Sequence, residues 1–277
     1  MNDVVFLQAR NIRRSYGDLV ALDNVSVDIP VGKVTGLIGP NGAGKSTLLS
    51  ILSGFELPVS GQILLGGKDI TNEPGYRRVG LGITRTFQDV EIFPTLTVLE
   101  NVLLGFQDQM GEKLWRLFMT PGAVRRQRDD FIAQSLEILK KVGIIDERPN
   151  ELAGNLSYGQ QKLLALARML PTDADFLMLD EPGSGLPRPM VAHMGRLLHQ
   201  IAKEHGKGVV LVDHNMELVL EYAEHVIVMH HGTVLAQGVP DYVRKHPDVI
   251  RVYLARPDHP EPAAETAARA VDGGSRA

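Results

Sequence analysis

The sequence contains no cysteine, which excludes disulfides and thiolate metal sites and fits a reducing, cytosolic setting. It also lacks any run approaching the roughly eighteen apolar residues that a membrane-spanning helix needs. Residues 1–10 show neither the basic region, the long apolar stretch nor the cleavage site of a secretory signal. Attachment to a membrane is therefore expected to be borrowed from a partner. Positive charge is not in surplus either: 29 Lys and Arg stand against 33 Asp and Glu, a formal net charge of −4 with no general attraction for nucleic acid or anionic lipid. No nucleic-acid partner is expected. The nine histidines include the neighbours His230 and His231, but none stand at helix-face ligand spacing with other donors, so no metal centre held by the protein alone is indicated.

What is present is an apolar content of 44% over 277 residues, enough for one large domain or a core carrying one inserted subdomain. The most informative stretch is Gly39-Pro40-Asn41-Gly42-Ala43-Gly44-Lys45-Ser46-Thr47, which fits the phosphate-binding pattern G-x-x-x-x-G-K-[ST]. An apolar run over residues 34–38 reads as a buried strand leading into it, and residues 46–52 read as the helix leading out. Glycines at 39, 42 and 44 let the backbone curl so that successive N–H groups converge on an anion, while the helix N-terminus adds partial positive charge. Lys45 is expected to reach the β and γ phosphates, and the Ser46 hydroxyl to ligate Mg2+. Nucleotide binding is the working premise.

Residues 6–12 and 25–29 read as strands flanking a turn at Tyr16-Gly17-Asp18, an antiparallel sheet beside the nucleotide. Tyr16 is either an aromatic stacked on the adenine or an ordinary strand-end tyrosine, and position alone leaves both open. Residues 61–65 read as a strand turning at Gly66-Gly67, and residues 79–87 as another, ending at Gln88. From Thr97 the pattern is helical to about Val142, with breaks near Pro121-Gly122 and an apolar face at Ile132, Leu136 and Leu139. Arg125, Arg126 and Arg128 fall just upstream of that amphipathic helix, where a solvated cluster is preferred to a binding patch. Residues 94–155 thus read as a helical subdomain inserted into an α/β core. Strands over 176–179, 208–212 and 226–229 alternate with helices over 189–205 and 216–221, which argues for a largely parallel sheet closed by a hairpin strand at 232–235. Residues 1–255 are read as a single domain and 256–277, rich in Pro, Ala, Gly and charge, as a disordered tail.

Leu177-Met178-Leu179-Asp180-Glu181 is an apolar strand ending in two carboxylates, the arrangement expected for a Mg2+-holding Asp at the C-terminal edge of a parallel sheet. Asp180 is expected to bind the metal through its water shell, and Glu181 to accept a proton from an attacking water. Further on, Leu156-Ser157-Tyr158-Gly159-Gln160-Gln161 precedes an amphipathic helix running to Met169, with Ser157 and Gln160 spaced as a capping box.

That last stretch resembles the signature motif of ABC transporter ATPases and stands between the phosphate loop and the Asp-Glu pair, where that family places it. The resemblance extends over nearly the whole ordered chain. It implies a P-loop α/β core with a mostly parallel sheet, an antiparallel β subdomain and an inserted helical subdomain. It gives Tyr16 the adenine face and His214 the γ-phosphate contact of a switch. Gln88 becomes the glutamine that responds to the γ-phosphate and the metal and contacts membrane subunits. ATP with Mg2+ is the implied ligand, hydrolysed with Glu181, His214, Gln88 and Lys45 as the catalytic set. The implied assembly is a head-to-tail dimer in which each nucleotide lies between one chain's phosphate loop and the other chain's Ser157, Gly159 and Gln160.

The finer match is to the ATP-binding subunits of branched-chain amino-acid importers, carried by Tyr158, the helical insertion around Trp115, His214-Asn215-Met216-Glu217 and the stretch 249–254. This implies an ATPase peripheral to the cytoplasmic face of the plasma membrane, powering uptake of branched-chain amino acids or similar small polar solutes. Its expected partners are a second cassette ATPase, by preference a different one though a homodimer is allowed, two transmembrane permeases and, indirectly, an external solute-binding protein. The ATPase of an exporter and a soluble, non-transport cassette ATPase are the rival readings. One residue departs from the family: Pro187 stands where Asp, or in this subgroup Asn, is usual. Proline contributes neither a polar side chain nor an N–H, so weaker communication between the two sites is expected, which comparing the Hill coefficients of Pro187→Asn and wild type tests.

Overall fold

Three short runs, Val34–Ile38, Phe176–Asp180 and Gly208–Val212, are buried at every position. Successive side chains on a strand point to opposite faces, so a strand covered on both sides is apolar almost throughout, with Thr35 and the terminal Asp180 as the polar exceptions here. The computed structural model, which describes residues 6–86, 92–112, 118–144, 148–213 and 216–253, shows both coverings. Leu177, Leu179, Val209 and Leu211 face one hydrophobic cluster, and Phe176, Met178, Val210 and Val212 the other.

These runs are β3 (Val34–Ile38), β7 (Phe176–Asp180) and β8 (Gly208–Val212) of a six-stranded sheet that also holds β6 (Ile83–Arg85), β9 (His225–His230) and β10 (Thr233–Gly238). The order is β10-β9-β3-β8-β7-β6, parallel except for the antiparallel β9–β10 hairpin. A second, antiparallel sheet of order β2-β1-β4-β5 is formed by β1 (Phe6–Tyr16), β2 (Leu19–Pro30), β4 (Ser60–Leu65) and β5 (Lys68–Asp69). Its inner residues, among them Leu7, Ile12, Val27 and Ile63, close on Leu48, Leu49, Ile51 and Leu52 of α1 (Lys45–Ser53) to make the second cluster. The antiparallel hairpin and the parallel sheet are both as the sequence implies, with β1 and β2 longer than the expected strands.

On the other face pack α3 (Val98–Leu103), α4 (Pro121–Val142), α5 (Tyr158–Met169), α6 (Arg188–His205) and α7 (Met216–Tyr222). Val98 and Val102 of α3 and Leu139 and Val142 of α4 join the same cluster as Leu163 and Leu166 of α5. The insertion is therefore continuous with the core of the sheet. Near the C-terminus α8 (Pro240–Lys245) and α9 (Pro247–Tyr253) complete the described chain. Among the described residues no helix is long and apolar enough to cross a membrane.

Three expectations need correction. The stretch 79–87 is not one strand: Val79 and Gly80 end a short helix, α2 (Gly75–Gly80), and among its described residues only Ile83–Arg85 pairs with the sheet, beside β7. The break expected near Pro121-Gly122 falls at Thr120, which is non-helical between helical residues 118–119 and Pro121, the first residue of α4, where a proline forfeits no helical hydrogen bond. Arg125, Arg126 and Arg128 consequently lie inside the helix, where all three are exposed. Finally, the buried stripe of α4 runs through Ser135, Leu139 and Val142, while Leu136 is 39% exposed. Ser135 is tolerated inside because its hydroxyl donates to the Phe131 carbonyl at 2.7 Å.

Candidate functional site

β3 leaves the sheet at Ile38 and α1 begins at Lys45, so residues 39–44 must reverse direction at the sheet's C-terminal edge. Gly44 does so with φ 97°, and a Cβ there would stand 2.6 Å from the Ala21 carbonyl oxygen. Only glycine satisfies both conditions. No side chain caps α1, so its positive end faces the loop unshielded. Lys45 is nearly enclosed and donates to the carbonyls of Gly39 at 2.8 Å and Pro40 at 3.1 Å. Burial pushes its ammonium below the ordinary lysine range, and the carboxylates of Glu181 and Asp180 pull it partly back. The resulting cavity, about 370 Å³, is lined by Asn41, Gly42, Ala43, Gly44, Lys45, Ser46, Thr47 and Glu181.

The two carboxylates arrive at the end of β7 in different environments. Asp180 is buried and receives a 2.9 Å hydrogen bond from Arg85 Nη2, whose other terminal nitrogen donates at 2.9 Å to Ser50 Oγ on α1. Arg85 thus ties β6, β7 and the helix after the phosphate loop into one charged cluster. Glu181 has left the strand: its φ of 51° is in the left-handed region, its N–H donates to the Val212 carbonyl at 2.7 Å, and it reaches the phosphate-loop cavity. A non-glycine residue held there is a local strain of about 1–3 kcal/mol that surrounding contacts must sustain. Lys162 of α5 supplies two of those contacts, donating at 2.7 Å to the carbonyls of both Glu181 and Ser184.

The phosphate loop and Glu181 are therefore brought together as the spacing predicts, with Asp180 adjacent. Ser157, Gly159 and Gln160 are not: they form the N-terminus of α5 and none lines that cavity. Ser157 and Gln160 make the expected capping box, with the Ser157 N–H donating to Gln160 Oε1 at 3.0 Å and the Gln160 N–H to Ser157 Oγ at 3.4 Å. Tyr16 also lies outside the cavity lining; its hydroxyl donates to the Glu56 carboxylate, and the Arg14 guanidinium stands 4.7 Å from its ring centroid. Pro187 precedes the first turn of α6 as its cap residue, with no side-chain cap. Gln88 and His214 lie outside the described residues, as do Trp115 and Asn215. Arg85 and Lys162 are the site residues that sequence reasoning missed.

Among the described residues there is no group of three or more His, Asp or Glu that could hold a metal by themselves. The donors available, an exposed Ser46 hydroxyl and the Asp180 carboxylate, are hard oxygens. Such a sparse set suits Mg2+, which keeps several waters and takes its remaining ligands from a bound phosphate chain.

Comparison with known proteins speaks to the family and the fold. The family model for the ABC transporter matches residues 22–184. The high-affinity branched-chain amino acid transport ATP-binding protein LivG of Escherichia coli is 35% identical over 248 residues, covering 90% of this chain and 97% of that protein. Its counterpart BraF of Pseudomonas aeruginosa is 36% identical over 249 residues with the same coverage, and a probable LivG of Archaeoglobus fulgidus is 34% identical over 252, covering 91% and 96%. Among solved structures, a nucleotide-free ATP-binding cassette from an ABC transporter superposes with TM-score 0.77 at 31% identity, covering 91% of this chain and all of that one. The ADP conformation of an ATP-binding cassette of an ABC transporter gives 0.76 at 29%, covering 91% and 99%.

Proposed function

The chain belongs to the ABC transporter family, and on that premise we propose that it is the ATP-binding and ATP-hydrolysing subunit of an importer for branched-chain amino acids or similar small polar solutes. The single observation that carries the reading is the convergence of the phosphate loop and Glu181 in one cavity, beside the buried Asp180. The likeness to LivG and BraF over nine-tenths of the chain supports the importer over the exporter. The absence of positive charge surplus argues against a nucleic-acid-bound ATPase.

In this reading the loop's N–H groups and the open end of α1 receive the β and γ phosphates of ATP. Lys45 exchanges its contacts with Gly39 and Pro40 for phosphate oxygens. Ser46, Asp180 and Gln88 would hold Mg2+, which supplies neutralisation of the charge that develops on the transferred phosphoryl group. Glu181 orients the attacking water and takes its proton, His214 contacts the γ-phosphate, and Tyr16 stacks on the adenine. The Ser157 hydroxyl, the Gly159 N–H and Gln160 belong to the nucleotide of a second cassette in a head-to-tail dimer, which explains why they stand apart from the chain's own phosphate loop. We take the second cassette to be a different ATPase. Two permeases, supplied by an external solute-binding protein, would hold the pair at the cytoplasmic face of the membrane. Residues 1–255 form one domain carrying the helical insertion of about 94–155.

Titration of the full-length protein with Mg-ATP tests the site. Lys45→Ala removes charge-assisted hydrogen bonds worth about 1.5–3 kcal/mol, so affinity is expected to fall roughly 10- to 100-fold. Binding within twofold of wild type would place the nucleotide elsewhere.

A further inference from the structure

Lys162 stands on the inward side of α5, four residues before Leu166 and seven before Met169, both buried. Only 7% of it is exposed. Its ammonium reaches out of the helix to a neighbouring segment, the turn that joins β7 to α6, and bonds there to the carbonyls of Glu181 and Ser184 at 2.7 Å each. The same turn is gripped from its other side, because the Gly183 N–H donates at 2.9 Å to Oδ2 of the buried Asp213. Tyr158, one turn before Lys162 on α5, covers the contact: its ring centroid is 5.2 Å from Lys162 Nζ, and a Cβ on Gly185 would lie 3.1 Å from the ring. With φ at 74°, Gly185 allows the ring this close approach.

We propose that Lys162 is a positioning residue for ATP hydrolysis, fastening the Glu181 turn to α5 so that the carboxylate of Glu181 and the N-terminus of α5 move as one body. The inference rests on the proposed function, in which Glu181 serves the chain's own nucleotide and the α5 N-terminus serves its partner's. A cation between backbone carbonyls suits this work, because it holds Glu181 in its left-handed conformation without touching the carboxylate. The clamp also explains how a turn ending in Pro187, which has no N–H and no polar side chain, keeps a defined shape. Burial lowers the Lys162 ammonium from its ordinary range and the carboxylates of Asp213 and Glu181 oppose that shift, in keeping with a cation retained for its partners. Movement of α5 as a second cassette closes on it is thereby delivered to Glu181 through one side chain.

The test compares full-length wild type, Lys162→Met and Lys162→Arg in Mg-ATP binding and in steady-state hydrolysis. Misplacing a catalytic group by about 1 Å costs on the order of 100-fold in rate. The expected result is a fall in kcat of roughly 10- to 100-fold for Lys162→Met, with KM and ATP affinity within about twofold, and recovery by Lys162→Arg to within about threefold of wild type. Unchanged kcat in Lys162→Met would overturn the proposal. So would a parallel loss of kcat and affinity that arginine does not rescue, since that is the mark of general destabilisation. If Lys162→Met does not fold, Lys162→Gln, which keeps one donor group, takes its place with the same two criteria. A wild type that neither binds nor hydrolyses Mg-ATP would instead refute the function itself.

Discussion

Glu181→Gln is expected to lower ATP turnover by about 10²- to 10⁴-fold while Mg-ATP binding stays within about threefold of wild type. The size follows from the role of a general base, and the retained binding follows from shape. Glutamine has the volume of glutamate, and the backbone contacts that fix residue 181, to the Val212 carbonyl and from Lys162, do not involve its side chain. Removing the negative charge beside Lys45 also eases the approach of a polyphosphate. A nucleotide bound but not hydrolysed should hold two cassettes together, so the variant is expected to form an ATP-dependent dimer, readable by size-exclusion chromatography with light scattering. Phosphate release within threefold of wild type would remove Glu181 from its assigned role and leave the phosphate loop without a base.

The second large effect is on stability. Arg78 is fully buried and donates through Nη1 to the carbonyls of Ile51 at 2.6 Å and Leu52 at 2.8 Å, through Nη2 to Thr71 at 2.9 Å and through Nε to Glu73 at 2.8 Å. Ile51 and Leu52 lie in the last turn of α1, where helical partners run out: the Ile51 carbonyl also accepts the Gly54 N–H at 3.2 Å, and Arg78 is the donor that reaches Leu52. Burial lowers the guanidinium to about 10, opposed by the Glu73 carboxylate, so it stays charged at neutral pH. Arg78→Met keeps much of the apolar stem but abandons these acceptors in the interior. Each buried, unsatisfied acceptor costs about 1–3 kcal/mol, and partial relaxation brings the expected total to about 3–5 kcal/mol. At roughly 2–4 °C per kcal/mol for a domain of this size, Tm should fall by about 6–20 °C. Differential scanning calorimetry of the two proteins decides it, and a shift under 2 °C would show that solvent or repacking satisfies the end of α1.

These two residues also show what the sequence could and could not disclose. Glu181 was legible because it follows an apolar run whose burial on both faces leaves no room for anything but a sheet's interior, and because its neighbour is also a carboxylate. The same reasoning located β3 and β8. Arg78 was not legible: α2 spans only six residues and its one buried side chain is an arginine, so no apolar periodicity announces a helix. Its existence is dictated by the acceptors at the end of α1, which are distant in sequence. Val79 therefore read as the start of a strand.

Charged residues in the interior account for the other omissions. Arg85 is invisible as a partner of Asp180 until β6 and β7 are paired in parallel, because nothing in a linear pattern sets those two side chains side by side. Lys162 did leave a signal, a lysine on the apolar stripe of α5 in register with Leu166 and Met169, which a reading of the polar residues along the inner face would have found. On α4 the error ran the other way: counting apolar residues favoured Leu136, whereas Ser135 takes the buried position by hydrogen bonding within its own helix.

The account's central claim is that ATP bound at this site powers a membrane transporter, and the partners of the chain test it most directly. The chain is to be tagged at its N-terminus, purified under mild detergent from the membranes of its own cell, and the material that accompanies it identified by mass spectrometry. The account predicts two polytopic permeases together with a second cassette ATPase. Recovery from the soluble fraction alone, without permeases or with ribosomal or nucleic-acid-bound partners, would contradict the transport assignment.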